Sequence, residues 1–157
     1  MNPYSMSRNH NIHLLGDIAK IRSGYTFRGK IEEVSHEKGN AHIVQIKDSR
    51  KISDETQSAL ITAEQLPCIQ WDGKSSAFLD PNSVLLPARG GYFRASLITG
   101  SRPATLPVIA SSQFLIIQAK PSVLPEFLCW SLNQSRTQYE LSEASQGSNI
   151  PMLSVPS

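Results

Sequence analysis

Charge is scarce in this chain of 157 residues. Asp, Glu, Lys and Arg make up 18% of it, and fifteen Lys and Arg against thirteen Asp and Glu leave a formal net charge of +2. A balance so near neutral excludes a histone-like polycation, so any contact with nucleic acid must rest on local clusters of cations. Cysteine is almost absent: Cys68 and Cys129 are far apart and unaccompanied. They are expected to be reduced, packed thiols in a cytoplasmic protein, not a disulfide framework. No apolar run approaches the ~20 residues that a bilayer span requires. The opening residues lack the apolar segment of a secretory signal, and residues 1–12 are expected to form a frayed polar lead-in. Hydrophobic residues at 39% are enough for one domain with a real core, expected over residues 13–157.

Catalytic patterns are missing as well. His10, His13, His36 and His42 lie in the first third of the chain without Cys, Asp or Glu at ligand spacing on a common element, so no zinc site is expected. There is no nucleophile elbow, phosphate-binding Walker loop or glycine-rich dinucleotide loop. Asp80-Pro81-Asn82-Ser83 is similar to the tetrad with which amino-methyltransferases grip a flipped base, but Ser83 stands where an aromatic must stack. No catalytic constellation and no cofactor are expected.

What the chain does contain is organised around residues 83–98. Two apolar runs, 84–86 and 93–98, flank Arg89-Gly90-Gly91. A glycine pair between β-prone runs signals a strand reversal, because glycine accepts positive φ without a Cβ clash. In the second run Phe93, Ala95 and Leu97 share one strand face, and Tyr92, Arg94 and Ser96 share the other. Such a loop would present Arg89, the bare backbones of Gly90 and Gly91, Tyr92 and Arg94 together, a set suited to phosphates and base edges. An ordinary hairpin with solvated arginines has the same sequence signature.

Elsewhere, residues 13–21 fit a short helix capped by Asp17 and stopped at Ser23-Gly24, followed by the aromatic and basic loop Tyr25-Thr26-Phe27-Arg28-Gly29-Lys30. Residues 41–47 fit a strand that runs into the polar corner Asp48-Ser49-Arg50-Lys51. Thr62 with Gln65 fits a capping box, and Pro67 ends that turn. Residues 68–71 fit a strand. The unbroken run Phe114-Leu115-Ile116-Ile117 is the strongest strand signal and predicts burial on both faces. Pro125 followed by Glu126 opens a helix, and a second helix is expected over residues 136–144. The fold class expected is α+β: β-rich, with a short N-terminal helix and helices at the C-terminal end. Trp71 and Trp130 are expected to pack.

Several segments in order resemble a target recognition domain of the DNA-specificity subunit of type I restriction–modification systems. Leu14-Leu15-Gly16-Asp17-Ile18-Ala19-Lys20-Ile21-Arg22-Ser23-Gly24 looks like its opening, and Ile43-Val44-Gln45-Ile46-Lys47-Asp48 like its first central strand. Asn82-Ser83-Val84-Leu85-Leu86-Pro87-Ala88-Arg89-Gly90-Gly91 is similar to the family's hairpin, with Asn82-Ser83 where Gly-Asp is usual. Leu124-Pro125-Glu126-Phe127-Leu128, then Gln146-Gly147-Ser148-Asn149-Ile150-Pro151-Met152-Leu153, look like its helix and exit.

The resemblance implies a non-catalytic module that reads half of a split DNA site in the major groove. Methylation, translocation and cleavage would belong to methyltransferase and restriction subunits. The long spacer helix of such subunits would begin about where residue 157 stands. The candidate DNA contacts are then Arg89, Gly90, Gly91, Tyr92 and Arg94, with Lys47, Ser49, Arg50 and Lys51 as a second corner. Gln146, Ser148 and Asn149 could bond bases or phosphates from a loop, and Lys74 and Arg102 could meet the backbone. Two other readings stay open. One is a stand-alone half-subunit acting as an interaction or regulatory module; the other is an enzyme whose site is assembled from scattered residues.

Overall fold

The computed structural model describes residues 12–89, 93–99, 106–143, 150 and 154–156. In chain order its elements are β1 (Ile12–Leu14), α1 (Leu15–Ile18), β2 (Ala19–Ser23), β3 (Ala41–Val44), α2 (Ile46–Thr56), β4 (Leu60–Thr62), β5 (Cys68–Ile69), β6 (Val84–Pro87), β7 (Ser96–Thr99), β8 (Val108–Ala110), β9 (Phe114–Ala119), α3 (Pro125–Leu132), α4 (Ser135–Glu143) and β10 (Ser154–Pro156). The α+β class expected from the sequence is the class observed. Of the lead-in expected over residues 1–12, residues 1–11 lie outside the described residues, and Ile12 opens β1 opposite Pro156.

Strands β6 and β9 are the frame. They pair antiparallel, Val84 opposite Ile117 and Pro87 opposite Phe114, inside a five-stranded sheet of order β2-β9-β6-β7-β4. Alternate side chains along these strands enter two separate cores. Val84, Leu86, Leu97 and Ile117 face a core closed by Leu128, Cys129, Leu132 and Leu141 of the C-terminal helices. Leu85, Ile98, Phe114 and Ile116 face a second core with Val44, Ile52, Ile61, Leu66 and Val108. Apolar residues at every position of the run 114–117 follow from this double burial. A smaller sheet, β5-β3-β8, carries a third apolar cluster of Ala41, Ile43, Ile69 and Ile109 on its outer side.

The antiparallel pairing of β6 with β7 is the expected strand reversal, although β7 begins only at Ser96 and residues 90–92 lie outside the described residues. The Thr62–Gln65 capping box is present on the 3-10 turn Ala63–Gln65, where Thr62 N–H donates to Gln65 Oε1 at 2.8 Å. Pro125 sits at the first turn of α3 as expected.

Three expectations need correction. Residues 13–21 form β1, a single helical turn and β2; Asp17 lies inside that turn and caps nothing. The strand expected over 41–47 ends at Val44, and the polar corner that follows is the start of α2. Gln45 N–H donates to Asp48 Oδ2 at 2.9 Å, closing a capping box, while Ser49 and Ile52 turn inward at helical spacing. Trp130 does not pack into a core: it stays 55% exposed beside Phe127.

Leu85 is fully buried between neighbouring strands, so Leu85→Ala should cost about 2–5 kcal/mol, read as a lower denaturation midpoint. Both cysteines are buried and free, and burial pushes the Cys129 thiol up to about 12, against a smaller opposing pull from Arg94. Maleimide labelling at pH 8, followed by mass spectrometry, should therefore leave Cys129 unmodified in the folded chain and modify it after denaturation.

Candidate nucleic-acid interface

The turn from β8 to β9, Ser111-Ser112-Gln113, ties several candidate segments to one end of the large sheet. Gln113 Oε1 accepts the N–H of Ile46, the residue before Lys47, at 3.1 Å. The Gln113 carbonyl accepts the N–H of Ala88, the residue before Arg89, at 2.8 Å. Tyr25 joins the same turn: its N–H donates to the Ala110 carbonyl at 2.8 Å, and it forms a bridge with Ser111. Gly24 permits this approach, because a Cβ there would lie 1.9 Å from the Ser111 carbonyl oxygen. Arg89, Lys47 and Tyr25 therefore leave the backbone from a shared, hydrogen-bonded rim.

Gln113 and Tyr25 were not among the expected contacts. Both are exposed, and Tyr25 leaves 42% of its surface open. Its ring meets Trp71 edge-on at 4.7 Å and Phe27 at 4.9 Å. The Trp71 indole N–H donates to the Lys74 carbonyl at 3.3 Å, which sets Lys74 beside the aromatic cluster. A groove of about 470 Å³ runs there, lined in part by Arg22, Tyr25, Trp71 and Lys74. The Arg22 guanidinium is already engaged with the carbonyls of Ser76 and Phe78 at 3.2 and 3.1 Å, so it braces the groove wall.

Arg94 leaves the β6–β7 connection between two buried neighbours, Phe93 and Ala95, and is itself exposed. The helical junction holds this limb. Asn133 accepts the Ala95 N–H at 2.7 Å and donates to its carbonyl at 3.0 Å, while the Gln138 amide donates to the Phe93 carbonyl at 3.0 Å. Asn133 and Gln138 belong to the helical layer, so the limb that bears Arg94 lies on the α3–α4 side of the sheet end. The Lys47 side of the rim is flanked instead by α2.

The helix sorts the second corner. Lys47, Arg50 and Lys51 are exposed, whereas Ser49 is 1% exposed and its hydroxyl donates to the Ile46 carbonyl at 3.1 Å, so Ser49 offers nothing to a ligand. Lys47 pairs with Glu33, whose hydrogen bond and charge hold the ammonium above its ordinary value. Lys51 shares a cavity of about 460 Å³ with Glu33, Asp48 and Glu55, whose negative charge works against a phosphate there. Gly90, Gly91, Tyr92, Arg102, Gln146, Ser148 and Asn149 lie outside the described residues.

A further cluster was not anticipated. His36, His42 and Cys68 offer ligand atoms that all lie within 4.8 Å of one another, although they come from a loop and two strands.

No protein-family model and no curated protein matches this chain. Solved structures do. The HsdS subunit from Thermoanaerobacter tengcongensis superposes with a TM-score of 0.62 at 13% identity, covering 92% of this chain and 32% of that one. A chain from work on complex assembly and conformational transition of the type I restriction–modification system gives 0.54 at 14% identity, covering 92% and 33%. The S subunit of the type I system from M. genitalium gives 0.53 at 11% identity, covering 96% and 35%. The chain spans about a third of the length of these proteins. The fold expected from the resemblance in sequence is thus the fold found, that of type I restriction–modification specificity subunits over one such third.

Proposed function

We propose that this chain is a non-catalytic DNA-recognition module, serving as one half-site reader of a type I restriction–modification specificity component. The observation that carries this is the convergence on the Ser111–Gln113 turn of the segments bearing Arg89, Lys47 and Tyr25, within a fold shared with HsdS subunits. Cations fixed at strand ends supply phosphate contacts that set orientation, and the amide of Gln113 and the phenol of Tyr25 are suited to base edges. Lys74 beside the aromatic groove and Arg94 on the helical side of the sheet end are further contacts in this reading, and Gly90, Gly91, Tyr92, Arg102, Gln146, Ser148 and Asn149 stay among its candidate contacts. Double-stranded DNA is the ligand, and a methyltransferase subunit, with a restriction subunit, supplies the chemistry. A role on DNA would put the chain in the cytoplasm; among the described residues no helix is long and apolar enough to cross a membrane.

With a net charge of only +2, affinity must come from a few local contacts. Binding to DNA selected from a random pool, with the methyltransferase subunit present, should weaken with salt at a log–log slope of about −0.9 per phosphate contacted. Arg89→Ala should lower that slope by about 1 if it meets a phosphate, or relax preference at one base pair by ~1–3 kcal/mol if it reads a guanine. A flat salt response would sink the DNA reading. Gln113→Ala should reduce DNA affinity while costing the fold no more than ~3 kcal/mol, since it removes the two hydrogen bonds that Gln113 Oε1 accepts, from the Ile46 N–H and the Ser111 hydroxyl, and leaves the backbone bond to Ala88. Unchanged affinity for that variant would show that the turn does not organise the surface.

A further inference from the structure

We propose that His36, His42 and Cys68 form a binding site for a borderline divalent cation, Zn2+ foremost. The inference is independent of the DNA reading. Two imidazoles and a thiol make the mixed nitrogen and sulfur donor set that suits Zn2+. The spacing fits as well: one ligand atom from each residue lies within 4.8 Å of the other two, and Cys68 Sγ stands against the His42 ring. A tetrahedral ion with Zn–S of about 2.3 Å and Zn–N of about 2.0 Å holds its donors about 3.3–3.5 Å apart, so the ligands must draw together by up to an ångström or so on binding, a movement open to the exposed His36.

The backbone fixes each ligand. His42 and Cys68 are directly opposed partners in the β3–β5 ladder. His36 follows Val34, which bridges to Cys68 through an N–H to carbonyl bond of 2.8 Å. The turn after His36 is closed by the N–H groups of Lys38 and Gly39, both bonded to the Ser35 carbonyl at 3.0 Å. Gly39 then presses against the site: a Cβ there would meet Cys68 Cβ at 2.5 Å. The His36 and His42 rings stand 5.8 Å apart as a result. His42 Nδ1 also lies 3.0 Å from the Leu66 carbonyl, a hydrogen bond of the kind that orients ligating histidines and leaves Nε2 for the ion. His42 and Cys68 are buried, while His36 is exposed and borders the cavity shared with Glu33 and Leu66, from which water can take the fourth position. On binding, the Cys68 thiol proton passes to solvent and the thiolate sulfur becomes the ligand.

The test uses the full chain without a histidine tag. Titration with Co2+ should give one equivalent bound, with a thiolate-to-cobalt charge-transfer band in the near ultraviolet that Zn2+ abolishes. His36→Ala changes an exposed residue, so it should keep the native circular dichroism spectrum while losing the band. Zn2+ should raise the melting temperature of the parent chain and leave that of His36→Ala unmoved. Absence of the band in the folded parent, or its persistence in His36→Ala, would overturn the proposal and leave His42 and Cys68 as a hydrogen-bonded core pair.

Discussion

The register between β6 and β9 is the constraint from which the rest follows. Both strands are apolar on both faces, so hydrophobic alternation alone would tolerate a slip between them. A polar pin removes that freedom. Ser83, next to Val84 on the strand edge, is fully buried; its hydroxyl bonds to the Gln118 side chain at 3.0 Å and donates to the Asp80 carbonyl at 2.7 Å. Misregistry would strand these buried polar groups, a penalty of about 1–3 kcal/mol for each group left unpaired. With Ser83 fixed against Gln118, Pro87 must face Phe114, and Ala88 must reach Gln113. The candidate interface is thus the far end of a ladder whose near end is locked by a serine.

That arrangement bears on how a nearly neutral chain would carry the proposed nucleic-acid surface. Cations on flexible loops lose side-chain and backbone entropy when they meet phosphates. Here Lys47 lies in the first turn of a helix whose cap N–H, on Gln45, and first N–H, on Ile46, are tied down, and the limb bearing Arg94 is held by Asn133 and Gln138 from the helical layer. The helices therefore do more than cover the sheet: the α3–α4 junction grips the backbone on either side of an exposed arginine.

Legibility in the sequence follows the range of the determining contacts. The run 114–117 was readable because double burial demands an unbroken apolar string, and Thr62–Gln65 and Pro125 because capping and helix entry are local. Helix α2 was missed because Ile43, Val44 and Ile46 look like one strand. The contrary signal was present in Asp48 three residues after Gln45 and in the inward spacing of Ile46, Ser49 and Ile52. The roles of Gln113 and the His36–His42–Cys68 cluster had no local signal at all. Gln113 acts on residue 46 from 67 positions away, and Cys68 meets His42 across 26. Only the pairing of β3 with β5 and β8 brings such groups together.

Strand β3 also couples the two surfaces. His42 lies within it, and two residues past its end the chain enters α2 at Ile46, beside Lys47. The same loop that supplies His36 supplies Glu33, the partner of Lys47. Both members of that ion pair keep much of their side-chain surface in water, so the pair is weak and readily exchanged for another anion. In the proposed role, a phosphate arriving at Lys47 would therefore replace a carboxylate, not a free counterion. Salt loosens the old pair as well as the new one, so a contact at Lys47 contributes less to the salt dependence of binding than one made by a cation without such a partner. An internal acid of this kind weakens attraction to arbitrary DNA more than it weakens a site where base contacts add to the phosphate. Near-neutrality in such a module would then favour discrimination, with affinity supplied by the assembly around it.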